Sequence, residues 1–225
     1  MMKMRHEYKH RLHYGDYMVL VPRLRALMRR DEHAGADGKY RVRSLYFDTP
    51  DDRALREKQD GVDRREKFRI RRYPGTQDVI HLEKKIKIHG LCHKSSAPVT
   101  AEEVRRILSG DVAWMAHDGR PLVCELWHGI RGRGMKPKVV IEYVREPFVY
   151  AAGRVRVTFD TMIRTGLAPQ DFLADGTPML PAGEEIVLLE VKYDEYLPSF
   201  IEDLLQVGSR RAEACSKYAL GRCYG

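Results

Sequence analysis

Several stretches of this chain place long cationic side chains at every second position, with carboxylates among them. Glu7, Lys9 and Arg11 form one such set, and Lys67, Arg69 and Arg71 a second. Glu83, Lys85 and Lys87 form a third, Arg154, Arg156, Thr158 and Asp160 a fourth, and Glu190, Lys192 and Asp194 a fifth. Alternate side chains of an extended strand share a face, so each set would project together. Apolar residues alternate with them: Phe68 and Ile70, Leu82 and Ile86, Val155 and Val157, Leu189 and Val191. The chemistry open to such faces is capture of a phosphate chain. Arginine offers bidentate forks to phosphate oxygens, and lysine offers a compact charge. The glutamates could hold Mg²⁺ or Mn²⁺, which take oxygen ligands and bridge phosphates.

One strand of this kind is ordinary, because an antiparallel sheet with one solvated face alternates in the same way. The set departs from that pattern in two respects. Its polar members are mostly long and basic, with a recurring Glu-x-Lys, and the chain also supplies several amphipathic helices that need an apolar surface. If those helices cover the outside of a closed barrel, the charged faces point inward. Cations packed so closely repel one another and lose hydration. A bound polyanion offsets both costs.

The elements that would build such a barrel are visible. Strand patterns cover residues 5–13, 40–48, 65–73, 78–89, 136–150, 154–161 and 185–194, with turns at Pro74-Gly75 and Ala152-Gly153. Leu20, Val21, Leu24, Leu27 and Met28 recur at helical spacing and predict a helix over 17–30. Shorter helices are expected over 51–59, 121–131, 199–207 and 212–222. Thr100 with Glu103 forms a capping box that opens another, to about residue 108. Lys94 falls in a loop-like stretch. Arg41 and Arg43 share parity with Leu45 and Phe47, and Glu142 is expected to face outward. The sum is an α+β fold: one domain over residues 1–225, built as a closed antiparallel β-barrel tunnel of about eight strands with peripheral helices.

Composition narrows the partners. The chain has 225 residues, 43% of them hydrophobic, enough for a sizeable core, and its formal net charge of +8 favours an anionic partner. Nucleic acid is disfavoured, because the cationic strands lack the interleaved aromatics of a stacking platform and their glutamates repel a phosphodiester backbone. No run approaches the ~20 apolar residues of a membrane span, and the N-terminal stretch lacks the apolar core of a signal peptide. A cytoplasmic location is therefore expected. Cys92, Cys124, Cys215 and Cys223 form no CxxC pair and are expected as free thiols, and the histidines around Cys92 lack a fourth zinc ligand.

These residues also occur as ordered motifs: Arg5-His-Glu-Tyr-Lys9, Arg43-Ser-Leu-Tyr-Phe-Asp48, Lys67-Phe-Arg-Ile-Arg71 and His81-Leu-Glu-Lys-Lys85. Glu142-Tyr-Val-Arg-Glu-Pro-Phe148, Arg154-Val-Arg-Val-Thr-Phe-Asp160, Leu189-Glu-Val-Lys192 and Ser216-Lys-Tyr218 follow. In this order, over nearly the whole chain, they resemble the catalytic domain of the vacuolar transporter chaperone (VTC) polyphosphate polymerases, members of the triphosphate tunnel metalloenzymes related to the CYTH proteins. The resemblance implies transfer of the γ-phosphate of ATP to a growing inorganic polyphosphate chain, assisted by Mn²⁺ or Mg²⁺. It implies catalytic roles for Arg69, Arg71, Lys217 and Glu190, and phosphate binding by Lys9, Lys85, Arg145, Arg156 and Lys192. It assigns Glu190 to the metal, with Glu83 as a second carboxylate. The opening Arg-x-Glu-x-Lys departs from the Glu-x-Glu-x-Lys of the CYTH relatives and leans away from their cyclase and thiamine-triphosphatase branch. The regulatory and membrane segments usual in the eukaryotic complexes do not appear, which leaves room for a separately encoded membrane partner. Two alternatives share these residues: a tripolyphosphate or nucleoside triphosphate hydrolase, and a polyphosphate-binding module without activity.

Overall fold

A computed structural model describes residues 4–75, 79–206 and 215–222. In chain order the elements are β1 (His6–Leu12), α1 (Tyr14–Leu27), β2 (Arg29–Arg30), β3 (Tyr40–Asp48), α2 (Arg53–Gln59), β4 (Arg65–Arg72), β5 (His81–Ile88) and β6 (Leu91–Pro98). They continue with α3 (Ala101–Ser109), α4 (Pro121–Arg133), β7 (Lys136–Tyr150), β8 (Val155–Gly166), β9 (Met179–Pro181), β10 (Val187–Tyr193), α5 (Ser199–Leu204) and α6 (Lys217–Gly221). Part of the turn between β4 and β5, and most of the stretch between α5 and α6, lie outside the described residues.

All ten strands belong to one antiparallel sheet in the order β1-β10-β8-β7-β3-β4-β5-β6, with β2 added to β7 and β9 to β8. The fold class is therefore α+β, as expected, but among the described residues no ladder closes the sheet into a barrel. Among the described residues, its edge strands β1 and β6 meet at a single bridge, where Arg5 and Cys92 exchange backbone hydrogen bonds of 2.9 and 3.0 Å. The composition of β6 accounts for the open seam. His93, Lys94, Ser95, Ser96 and Pro98 are edge-strand residues: a charge resists further pairing, and proline has no N–H to donate.

The alternation along each strand separates two faces. Leu45, Phe47, Phe68, Ile70 and Leu82 turn outward and pack with Val104 and Ile107 of α3 and Leu126 of α4. Phe148, Val157, Phe159, Leu189 and Val191 turn outward at the other end of the sheet, under Leu20 and Leu24 of α1 and Ile201 of α5. Each of these fully buried side chains contributes roughly 1.5–3 kcal/mol. Helices α1, α3, α4 and α5 thus occupy the apolar face, and the charged face is left inside.

Several features differ from the sequence expectation. Helix α1 begins at Tyr14, where His13 N–H donates to Asp16 Oδ2 at 3.1 Å, and it ends at Leu27. Arg29 and Arg30 then pair with Val149 and Phe148, so tertiary pairing overrides the helical pattern expected to run to residue 30. Lys94 lies in strand β6 and not in a loop. The turn before it is His89-Gly90, both with positive φ (49° and 77°), the geometry of a two-residue hairpin. The polar sequence of β6 hid the strand. Outward-facing Arg43 and Glu142 are not solvated; they form a buried pair with Nε 2.7 Å from Oε2.

Candidate active site

The inner face encloses a cavity of about 420 Å³. Thirteen of its lining side chains are Lys or Arg and two are Glu, a balance that favours an anionic ligand. Strands β1, β4, β5, β7 and β10 project most of these groups by the alternation already described, and α6 adds Lys217.

One part of the lining is compensated. Asp160 is fully buried and accepts two hydrogen bonds from Arg145, at 2.7 and 2.8 Å, while Lys217 Nζ lies 2.5 Å from its Oδ2. Lys217 also sits 4.7 Å above the Tyr143 ring. Glu190 lies 2.9 Å from Lys192 and 3.4 Å from Arg145. Glu7 lies 2.6 Å from Lys85, 3.1 Å from Lys9 and 3.7 Å from Lys192. Burial alone would raise the Glu7 carboxyl, but Lys9, Lys192 and Lys85 overcome both burial and the charge of Glu190 and hold it at about 2. Burial is likewise outweighed at Glu190, where Lys192, Lys9 and Arg145 keep the carboxyl well below its ordinary value. Both carboxylates are thus anions in the free protein.

Behind this layer, Glu83 is buried between Arg69 Nη2 at 2.7 Å and Lys94 at 3.0 Å, with Arg71 at 3.7 Å. Its carboxyl falls far below the ordinary range: burial opposes the shift, and Arg69, Arg71 and Lys94 drive it. It does not line the cavity.

Of the residues singled out from sequence, Lys9, Arg69, Arg71, Lys85, Arg145, Glu190, Lys192 and Lys217 converge on this one cavity. Arg156 does not line it; Asp31 holds its guanidinium at 2.7 Å, and the same side chain donates to Tyr40 Oη at 2.9 Å. Sequence reasoning passed over Glu7 and Asp160 as site residues, although both had been placed on charged faces. Their signal was position opposite a cation. Glu7 is the cross-strand partner of Lys192, and Asp160 that of Arg145. It also passed over Lys58, Arg65, Lys67 and Lys87, which line the cavity too. Among the described residues, Cys92, Cys124 and Cys215 are free; Cys223 lies outside them.

The donor set decides how a divalent cation could be held. Among the described residues no three His, Cys, Asp or Glu side chains form a ready-made cage. Glu7 and Glu190 are ionised and share one ammonium, that of Lys192, so a positive charge already sits between them. Two carboxylates completed by phosphate oxygens suit Mg²⁺ or Mn²⁺, which commonly bind in that way. Glu83 fits less well, because it does not line the cavity in which those phosphates would lie.

The one-sheet α+β fold that carries this cavity is also found in solved structures. Three solved structures show the likeness. A proposed adenylyl cyclase from Hippeastrum, whose description reports a dominant triphosphatase activity, is 14% identical with a TM-score of 0.58; the match covers 98% of this chain and 96% of that one. A proposed adenylate cyclase from Bacillus halodurans is 15% identical with a TM-score of 0.51, covering 84% and 80%. A Pyrococcus horikoshii protein is 13% identical with a TM-score of 0.51, covering 98% and 99%. At these identities the likeness is one of fold. The VTC domain family matches residues 4–224, and the chain belongs to that family. No curated protein matches the chain. Among the described residues no helix is long and apolar enough to cross a membrane.

Proposed function

We propose that this protein is a polyphosphate polymerase that transfers the γ-phosphate of ATP to the end of an inorganic polyphosphate chain. The observation that carries the reading is the state of the two carboxylates in the cavity. Lysines, and Arg145 beside Glu190, hold both carboxyls below the ordinary carboxylate range, so each is ionised and a weak base toward water near neutral pH. A terminal phosphate oxygen is already an anion and needs no base. In the proposed step that oxygen attacks the γ-phosphorus, a new phosphoanhydride bond forms, the bond to the β–γ bridging oxygen breaks, and ADP leaves with the electron pair. Arg69, Arg71, Arg145 and Lys217 hold the donor phosphates in line, and Lys9, Lys85 and Lys192 bind oxygens beside the carboxylates. Such prearranged cations stabilise charge as it spreads over the transferred group. Glu7 and Glu190 would hold Mn²⁺ or Mg²⁺ together with the phosphates, and the metal would neutralise charge on the transferred group. Glu83 and Asp160 act as positioning residues that fix the arginines and lysine they pair with. Arg156 would lie outside this constellation.

The test is an incubation of purified protein with ATP and either metal, with and without a short polyphosphate primer, with products resolved by chain length. Long polymer that needs metal and disappears in Arg69→Ala supports the reading. Orthophosphate without polymer moves the assignment to hydrolysis on the same fold, and metal-replete protein that binds polyphosphate but turns nothing over is a binding module.

A further inference from the structure

Ladders fix the backbone of Arg69, Arg71 and Arg145, but Lys217 comes from α6, a helix of five residues that joins no ladder. So short a helix has little stability of its own. The place of the Lys217 ammonium therefore depends on how α6 is docked. The next residue, Tyr218, is buried and reaches Asp48 at the end of β3. Its hydroxyl donates to Asp48 Oδ2 at 2.6 Å. Burial, this hydrogen bond and the Asp48 charge raise the hydroxyl well above its ordinary value, so it stays a donor. Asp48 is a fixed anchor, because its carboxylate also accepts from the backbone N–H groups of Thr49, Ala54 and Leu55 at 2.8, 2.9 and 3.1 Å.

The ring of Tyr218 makes a second connection. It stacks on Tyr46 with centroids 5.2 Å apart, and the Tyr46 hydroxyl accepts from Arg69 Nη1 at 3.2 Å. Tyr46 lines the cavity and Tyr218 lies behind it. At the far end of α6, Arg222 pairs with Asp52 at 2.8 Å, and a Cβ on Gly221 would strike Ile141 of β7. Those contacts hold the helix to the sheet, whereas Tyr218 joins the cation of α6 to a cation of β4.

We propose that Tyr218, anchored by Asp48, is a positioning residue for two cations: its hydroxyl sets Lys217, and its ring sets Arg69 through Tyr46. The part these cations play in phosphoryl transfer rests on the function proposed above. Their part in holding an anion does not.

Double-mutant cycles on the affinity for sodium tripolyphosphate test it. Tyr218→Phe keeps the ring and removes the hydroxyl, and it is expected to lose ~5-fold in the wild-type background but less than ~1.5-fold in Lys217→Gln, where nothing is left to place. Tyr218→Leu removes the ring as well, and its additional loss of ~3-fold is expected to vanish in Arg69→Ala. A side chain that merely supports the fold would cost the same whichever cation is present. Either loss persisting in full in its background therefore overturns the proposal, as does wild-type affinity in Tyr218→Phe. The readout is binding, so failure to make polymer from ATP would remove the polymerase reading and leave these cycles standing. Urea midpoints report whether each variant folds; if Tyr218→Leu does not, Tyr218→Phe decides alone.

Discussion

Around Asp160, Arg145 and Lys217 each hold a carboxylate oxygen at 2.5–2.8 Å, and the aromatic ring of Tyr143 lies beneath both cations. Around Arg65, two cations face each other across the ladder with Lys67 and Lys58 beside them, and no carboxylate among the described residues answers. Both regions line one cavity. Charge that is paired internally can be held in a fixed geometry without a ligand, which suits the reacting phosphates. Unpaired charge raises the energy of the free state and favours whatever anion arrives, which suits a chain of variable length. The same inward strand parity serves both regions, and the difference lies in which cross-strand partner each cation meets.

The comparison breaks first at Asp160. Removing one member of a buried ion cluster leaves the others uncompensated, so Asp160→Ala is expected to cost about 3–5 kcal/mol in urea denaturation. A cost below ~1 kcal/mol would mean that Arg145 and Lys217 are no better compensated than Arg65 and Lys87. Glu190→Gln comes next. Turnover is expected to fall ~100-fold or more, about 2.7 kcal/mol of barrier, with tripolyphosphate affinity within ~3-fold of wild type. Full activity in that variant removes Glu190 from metal binding.

Much of this site was legible because strand parity is a rigid rule. The spacing of Lys67, Arg69 and Arg71, and of Glu190 and Lys192, placed those residues on one face before any pairing was known. Parity cannot report register, however. That Lys192 meets Glu7 and that Arg65 meets Lys87 follows from which strands lie side by side, information carried by long-range packing. The same limit explains Arg156. It has the inward parity of its strand, but Asp31, from the segment after β2, takes its guanidinium. The open seam between β1 and β6 was equally hidden, because β6 lacks apolar alternation and signals itself only through the His89-Gly90 turn. Helix α3 was read correctly because its determinants are local: the Thr100–Glu103 capping box and Gly110 at its end, with φ 86°.

A pH series sharpens the comparison without changing a residue. Lys67 titrates near 7 in the folded protein and at an ordinary lysine value of 10.5 when unfolded. Between those values the unfolded chain binds more protons, so this group makes stability rise with pH, from a full penalty below about 7 to none above the unfolded value. Urea midpoints measured at pH 7 and pH 9 should show the rise in wild type and a smaller one in Lys67→Met. Saturating polyphosphate should flatten it, because a bound anion restores the ammonium. An unchanged slope in the variant would show that Lys67 is not the group responsible.

The smallest effect has the opposite sign from the first. Arg65→Gln removes one of two opposed cations, so the free protein is expected to gain ~0.2–1 kcal/mol in urea denaturation. The same substitution removes a cation from the cavity wall, so the gain should shrink or reverse when long polyphosphate is present. That reversal separates a cation that meets bound phosphate from a poorly paired strand end, because a strand end that is merely strained would gain the same stability with or without the anion. Asp160→Ala offers the control: its loss arises in the free protein, where Arg145 and Lys217 are left unpaired, so an anion that replaces Asp160 should make the loss smaller. One ligand would then narrow both differences from wild type, a gain in one region and a loss in the other, as expected if internal carboxylates and bound phosphates compensate the same inward charge.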